Sequence, residues 1–290
     1  MFQDILITGL VNGGVYALLA IGFSLIFGVA RIVNIAHTAF YMLAAYLVYT
    51  FLNIAGLPLL VAVVLAVGLV TGVSMVCYKL VIEPVREYES AVLIATIALA
   101  LIFQESLLLI FGGHFLGSPT LIEGNMDLAG VRVTYQQLLT IAVVAVVLAG
   151  TWFLLNKTRL GLAIRATAND LEVANLMGMN VGRVAMYTVA ISVALAAIAG
   201  VVVAPLFVVD PLMWLAPLVT MLAIVVLGGL GSLKGSLIGA FVIAYVEAIT
   251  VFTVPAGSFL KGAVALSIMV LVLLIRPIPF QGEMTGSWWD

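Results

Sequence analysis

Apolar runs of about twenty residues recur along this chain with only short polar breaks between them, and this limits the available folds more than any other feature. A stretch such as LPLLVAVVLAVGLVTGV at 57–73 does not alternate as a strand of a membrane barrel would. As part of a helix it suits a hydrocarbon core about 30 Å thick. Lipid offers no water to satisfy a free N–H or C=O, so a lone segment crosses only if its backbone bonds close within it. Composition agrees, with 65% hydrophobic residues against 8% charged, where roughly 25% charged is usual for a soluble domain. The expected fold class is an all-α polytopic integral membrane protein, one transmembrane domain over 1–290.

Spans are expected at 5–29, 35–52, 58–82, 90–112, 135–155, 184–209, 214–231, 235–254 and 259–276. The count is eight or nine, because GGLGSLKGS at 228–236 either joins two short helices or interrupts a single broken one. Orientation follows from Lys and Arg, which favour cytoplasmic loops. With the N-terminus outside, Arg31, Lys79, Arg86, Lys157, Arg159, Arg165, Arg183, Lys234 and Arg276 fall on the cytoplasmic side. Only Arg132 and Lys261 fall opposite, and the C-terminus is expected in the cytoplasm. The first ten residues hold an acid and no basic stretch, so the first apolar run is expected to be retained. A net charge of −2 gives no ground for a nucleic-acid partner, and the single cysteine, Cys77, excludes an internal disulfide.

Two loops are long enough to hold structure: 113–134, expected to be an external cap, and 156–183, expected to be cytoplasmic. Within the second, ANDLEVANLMGMN reads as a short helix. Asn169 is placed as N-cap, Asp170 suits the positive end of the dipole, Glu172 completes a capping box, and Gly178 takes the left-handed stop. Leu171, Ala174 and Met177 fall three apart on one face with Leu176 nearby. So short a helix needs something to pack on, either the protein's own underside or a soluble partner.

The segment RATANDLEVANLMGMN resembles the cytoplasmic segment of the branched-chain amino acid permease family of ABC importers. NGGVYALLAIGFSLIFGVARIVNIAHTAFYMLAAY, IEPVR, GGLGSLKGSLIGAFVIAYVEAI and RPIPFQG follow in that family's order. The resemblance implies a permease subunit paired with a homologous second permease, energised by two cytoplasmic ABC ATPase subunits and fed by an extracytoplasmic solute-binding protein. It also implies that 169–178 is the ATPase contact and that no chemistry, metal or cofactor resides on this chain. GGLGSLKGS mimics a P-loop in composition but has Leu233 before Lys234 and lacks the G-x-x-x-x-G-K-[ST] spacing that surrounds a phosphate with backbone amides.

Polar groups at membrane depth usually face protein or water. The expected translocation pathway comprises Asn12, Asn34, His37, Thr96, Gln104 and Glu247. Glu247 has no cation within a helical turn, and its expected partner lies across helices, His37 among the possibilities. Gln104 matches the family where Glu105 departs from it. Arg31 is expected to snorkel to membrane lipid. NIAHTA keeps the Asn and His of the family's N-F-A-H-G-E, while Thr38 and Ala39 replace its Gly and Glu, which weakens any assignment of solute. His114 is too far from His37 to share a metal.

The function that follows is import of branched-chain or related small amino acids across the cytoplasmic membrane. The same family also carries other amino acids, urea and short amides. An ion-coupled transporter would show more acids near mid-membrane than Glu247 and Glu105. An intramembrane enzyme using His37 and Glu247 would need a metal motif or an activated nucleophile, and the sequence has neither.

Overall fold

A computed structural model of the chain describes residues 1–117, 120, 122, 124–128 and 131–275. Arg276 and RPIPFQG, with the expected cytoplasmic C-terminus, lie outside the described residues. The elements are α1 (Phe2–Ala30), α2 (His37–Tyr49), α3 (Leu59–Cys77), α4 (Glu89–Phe111), β1 (Asn125–Leu128), β2 (Val131–Thr134), α5 (Tyr135–Lys157), α6 (Arg159–Asn169), α7 (Leu171–Leu176), α8 (Val181–Val203), α9 (Leu215–Gly228), α10 (Leu233–Thr253) and α11 (Lys261–Ile275). Seven helical segments among the described residues are long and apolar enough to cross a membrane, and α2 and α9 are shorter. The architecture is thus an all-α polytopic membrane fold.

Depth in the bundle separates the helices. The most apolar window of α1 is 83% buried and that of α8 67%, whereas those of α5 and of the segment Gly257–Ile275, which ends in α11, are 17% and 6% buried. In water such bare helices would aggregate; in a membrane their outer faces meet lipid or another apolar protein. α1 packs chiefly on α10 and α8. Between helices of equal oiliness, close approach and hydrogen bonds supply the attraction. On α1, Gly9 and Gly13 leave room for the rings of Tyr245 and Phe241, and Ser24 and Ser236 share a hydrogen bond of 2.6 Å.

The region 214–254, expected as either two short helices or a single broken one, is two helices. Gly229 and Gly231 take positive φ of 89° and 84° in the turn. α9 and α10 then run back along each other so closely that a Cβ on Gly235 would sit 1.8 Å from the Gly228 carbonyl oxygen.

α2 begins inside the bundle. α1 ends at Arg31 in the left-handed conformation, and 31–36 carry the chain back until the His37 ring lies beside Gly22. Gly22 is eight residues before Ala30, so the His37 ring sits about 12 Å of helix rise back from the end of α1. Irregular backbone at such depth requires protein around it, and Ile32, Asn34 and Ala36 are buried. Ser192 closes the crossing by donating a hydrogen bond to the Gly22 carbonyl.

Several sequence expectations need correction. Arg31 donates to the Ala168 carbonyl at 3.3 Å, tying the end of α1 to α6. The span expected at 184–209 leaves the helix after Val203. The loop 156–183 contains α6, a helix that the turn signals alone did not reveal. Asn169 closes α6 instead of capping the next helix, and Asp170 is the cap of α7, accepting from the N–H groups of Glu172 at 2.9 Å and Val173 at 3.0 Å. In the 113–134 loop, β1 and β2 pair antiparallel, with Asn125 opposite Thr134.

Candidate functional site

Where α8 stops, residues 204–214 run irregularly to α9, held by turns and by a bridge between Val209 and Leu116. Beside this segment the bundle leaves a cavity of about 220 Å³, an order of magnitude beyond what one water needs. Its apolar wall includes Val15, Leu19, Val203, Phe207, Val208 and Met213. Its polar groups are Asn12, Tyr16, Tyr41 and Lys261.

Asn12 and Tyr16 are one turn apart on α1 and so share a face. The Tyr16 hydroxyl donates to Glu247 Oε2 at 2.9 Å. Behind it, the Thr220 hydroxyl donates to Glu247 Oε1 at 3.4 Å. Glu247 is 1% exposed, so one carboxylate from α10 joins α1 and α9 just outside the cavity wall. A buried acid held by two donors is the arrangement that low dielectric demands.

A second tie fixes the irregular segment. The Trp214 indole N–H donates to Gln104 Oε1 at 2.9 Å, and the Gln104 amide donates to Glu105 Oε1 at 3.1 Å. Trp214 is buried next to the cavity-lining Met213, so Gln104 anchors one wall from α4. Glu105 is exposed.

The six expected pathway residues therefore separate. Asn12 lines the cavity, Glu247 stands one hydrogen bond behind it, and Gln104 braces its wall. His37 does not pair with Glu247. Its Nε2 lies 3.2 Å from the Leu19 carbonyl oxygen and its ring meets Phe23 edge-on at 6.3 Å. Asn34 is buried in the return segment, and Thr96 donates to the Leu93 carbonyl of its own helix at 3.1 Å. None of these three is on the cavity wall. Among the described residues no group of three His, Cys, Asp or Glu side chains gathers as a metal set.

Tyr16, Tyr41, Thr220, Trp214 and Lys261 were missed from the sequence. The Asn12 and Tyr16 spacing was a usable signal, as was a lysine at a span boundary on the side where basic residues are scarce. The contacts of Thr220 and Trp214 cross 27 and 110 residues and leave no local trace.

At the end of the bundle reached by α6, α7 presents a different surface. Leu176 is 85% exposed and Met177 78%, with Leu171 and Val173 also exposed. Ala174, expected on the same stripe, is 2% exposed and faces the protein. The φ of +83° at Gly178 is the expected left-handed stop.

A polytopic helical bundle with a polar-lined cavity beside an irregular segment belongs to the class of membrane permeases. The chain is a member of the family described as branched-chain amino acid transport system / permease component, which matches residues 5–274. It is 31% identical to the high-affinity branched-chain amino acid transport system permease protein BraD of Pseudomonas aeruginosa, over 96% of this chain and 95% of that one. It is 30% identical to the corresponding protein LivH of Escherichia coli K12, over 97% and 96%. PsaBC from Streptococcus pneumoniae, solved in complex with a Fab, shares the fold at a TM-score of 0.53 and 18% identity, over 94% of this chain and 92% of that one.

Proposed function

We propose that this chain is a membrane-spanning subunit of an ATP-driven importer of branched-chain amino acids. The observation that carries the reading is the cavity lined by Asn12, Tyr16 and Lys261 among aliphatic walls, in a chain of this family. An apolar wall with a few polar groups suits a small solute that is apolar at one end and charged at the other.

In this reading the N-terminus is extracytoplasmic and α6 and α7 are cytoplasmic, which puts most Lys and Arg inside. The subunit pairs with a homologous permease and receives solute from an extracytoplasmic binding protein. Two partner ATPases hydrolyse ATP and dock on the exposed Leu171, Val173, Leu176 and Met177 of α7, with Asp170 and Glu172 shaping its first turn, Asn169 joining it to α6, Ala174 as the seat and Gly178 as the stop. Nucleotide binding would rock the bundle between outward- and inward-facing states, to which solute and partners bind differently. Asn12, Gln104 and Glu247 belong to or support the pathway in the outward half, and Asn34, His37 and Thr96 are reached by it as it opens inward. The test is reconstitution with both permeases, both ATPases and the binding protein, measuring ATP-dependent uptake of amino acids, urea and short amides. Uptake confined to urea or amides would replace the reading with that of another solute in the same family.

A further inference from the structure

Lys261 is a half-buried cation on the cavity wall with no ion-pair partner among the described residues. It opens α11 and lines the cavity, and among the described residues the only ion pair joins the N-terminus to Asp4. Glu247 is not its counter-ion, because both of its oxygens already accept, from Tyr16 and Thr220. A few polar or charged groups converging on an apolar pocket are what fixes the orientation of a small ligand.

Beside Lys261 the same cavity offers complementary chemistry. Because the Tyr16 hydroxyl spends its proton on Glu247, its remaining lone pair is an acceptor, made more electron-rich by the carboxylate behind it. Asn12 is 8% exposed, and its carboxamide makes no hydrogen bond among the described residues. A side chain so buried and so unpartnered calls for a ligand or water, and Asn12 faces the same space.

We propose that this cavity is a binding site for a free aliphatic α-amino acid, with Lys261 taking its carboxylate and Tyr16 and Asn12 its ammonium. Val15, Leu19, Phe207 and Met213 cover the aliphatic side chain. The proposal rests on the importer reading and deepens it, because the permease itself then selects for both charged ends of the solute. Urea and short amides lack both ends and are rejected here, whatever a binding protein delivers.

The test uses the complex of both permeases and both ATPases in lipid nanodiscs, without binding protein, and measures equilibrium binding of radiolabelled leucine. Lys261→Gln should weaken leucine about tenfold or more, as loss of a charge-assisted hydrogen bond implies. Lys261→Arg, which keeps the charge, should stay within about threefold of the unaltered complex, which separates lost charge from lost folding. Leucinamide, without a carboxylate, and 4-methylpentanoate, without an ammonium, should each compete about tenfold more weakly than leucine, and Lys261→Gln should erase the gap for leucinamide. Equal binding by Lys261→Gln, equal competition by leucinamide, or no leucine binding to the unaltered complex overturns the proposal. ATP-dependent leucine uptake, measured in parallel with binding protein added, tells the two failures apart. Uptake with any of those binding results leaves the importer standing and removes the site, whereas no uptake of any amino acid overturns both.

Discussion

Replacing Tyr16 by phenylalanine removes one oxygen and little else, and its consequence falls on Glu247. With the 2.9 Å bond gone, Oε2 of a side chain that is 1% exposed has lost its donor, and Thr220 at 3.4 Å serves only the other oxygen. A buried polar group left without its partner costs about 1–3 kcal/mol, whereas replacing both partners by apolar groups is close to neutral. Hydrogen bonds between membrane helices average about 0.6 kcal/mol and reach about 1.7 kcal/mol, because the unfolded chain in a bilayer also finds partners. A Tyr16→Phe and Glu247→Leu cycle should therefore show a coupling of about 0.6–1.7 kcal/mol, the double variant being more stable than the sum of the singles implies. Equilibrium unfolding of the purified permease in mixed micelles, followed by circular dichroism, measures it without reference to transport. Strict additivity would refute the energetic link between the two side chains, and with it the account of why an acid is tolerated inside α10.

Three further outcomes follow from the packing and the exposed surface. Leu171→Asp combined with Met177→Asp should leave membrane insertion unchanged and abolish co-purification of the ATPase; Leu176→Asp should act in the same direction, since Leu176 is the more exposed, and retained co-purification of both variants removes the docking surface. His37→Leu leaves the Leu19 carbonyl without its side-chain partner and crowds Gly22, so unfolding should become easier by about 1–3 kcal/mol; unchanged stability would remove the bracing role of His37 at the start of α2. Gly235→Val should prevent the α9–α10 hairpin, because its Cβ would overlap the Gly228 carbonyl, and pulse proteolysis of the variant should show rapid cleavage at the turn.

Much of the fold was legible because membrane helices announce themselves by length and oiliness, properties local to each segment. The extents of α1, α4 and α5 fell close to expectation for that reason. The expected end of the span at 209 failed because the residues after Val203 remain apolar while their backbone leaves the helix. Nothing in their composition records that a cavity lies beside them. α7 was legible as a helix from its turn chemistry, but the register was off by one, since Asn169 and Asp170 are both good caps and only the end of α6 decides between them.

By itself, the sequence determined that this chain lives in a bilayer as a helical bundle and that a short capped helix interrupts its longest polar loop. It also picked out Asn12, Gln104 and Glu247 as polar groups needing an account, because hydrocarbon penalises any such group wherever it falls. Only the tertiary structure decided what each one answers to: Glu247 to Tyr16 and Thr220, Gln104 to Trp214, His37 to the Leu19 carbonyl and not to Glu247, and Asn12 to the cavity it shares with Lys261. Hydropathy is a sum over neighbours along the chain, while a hydrogen bond is a meeting of atoms on different helices, and the packing of those helices chooses the pairs.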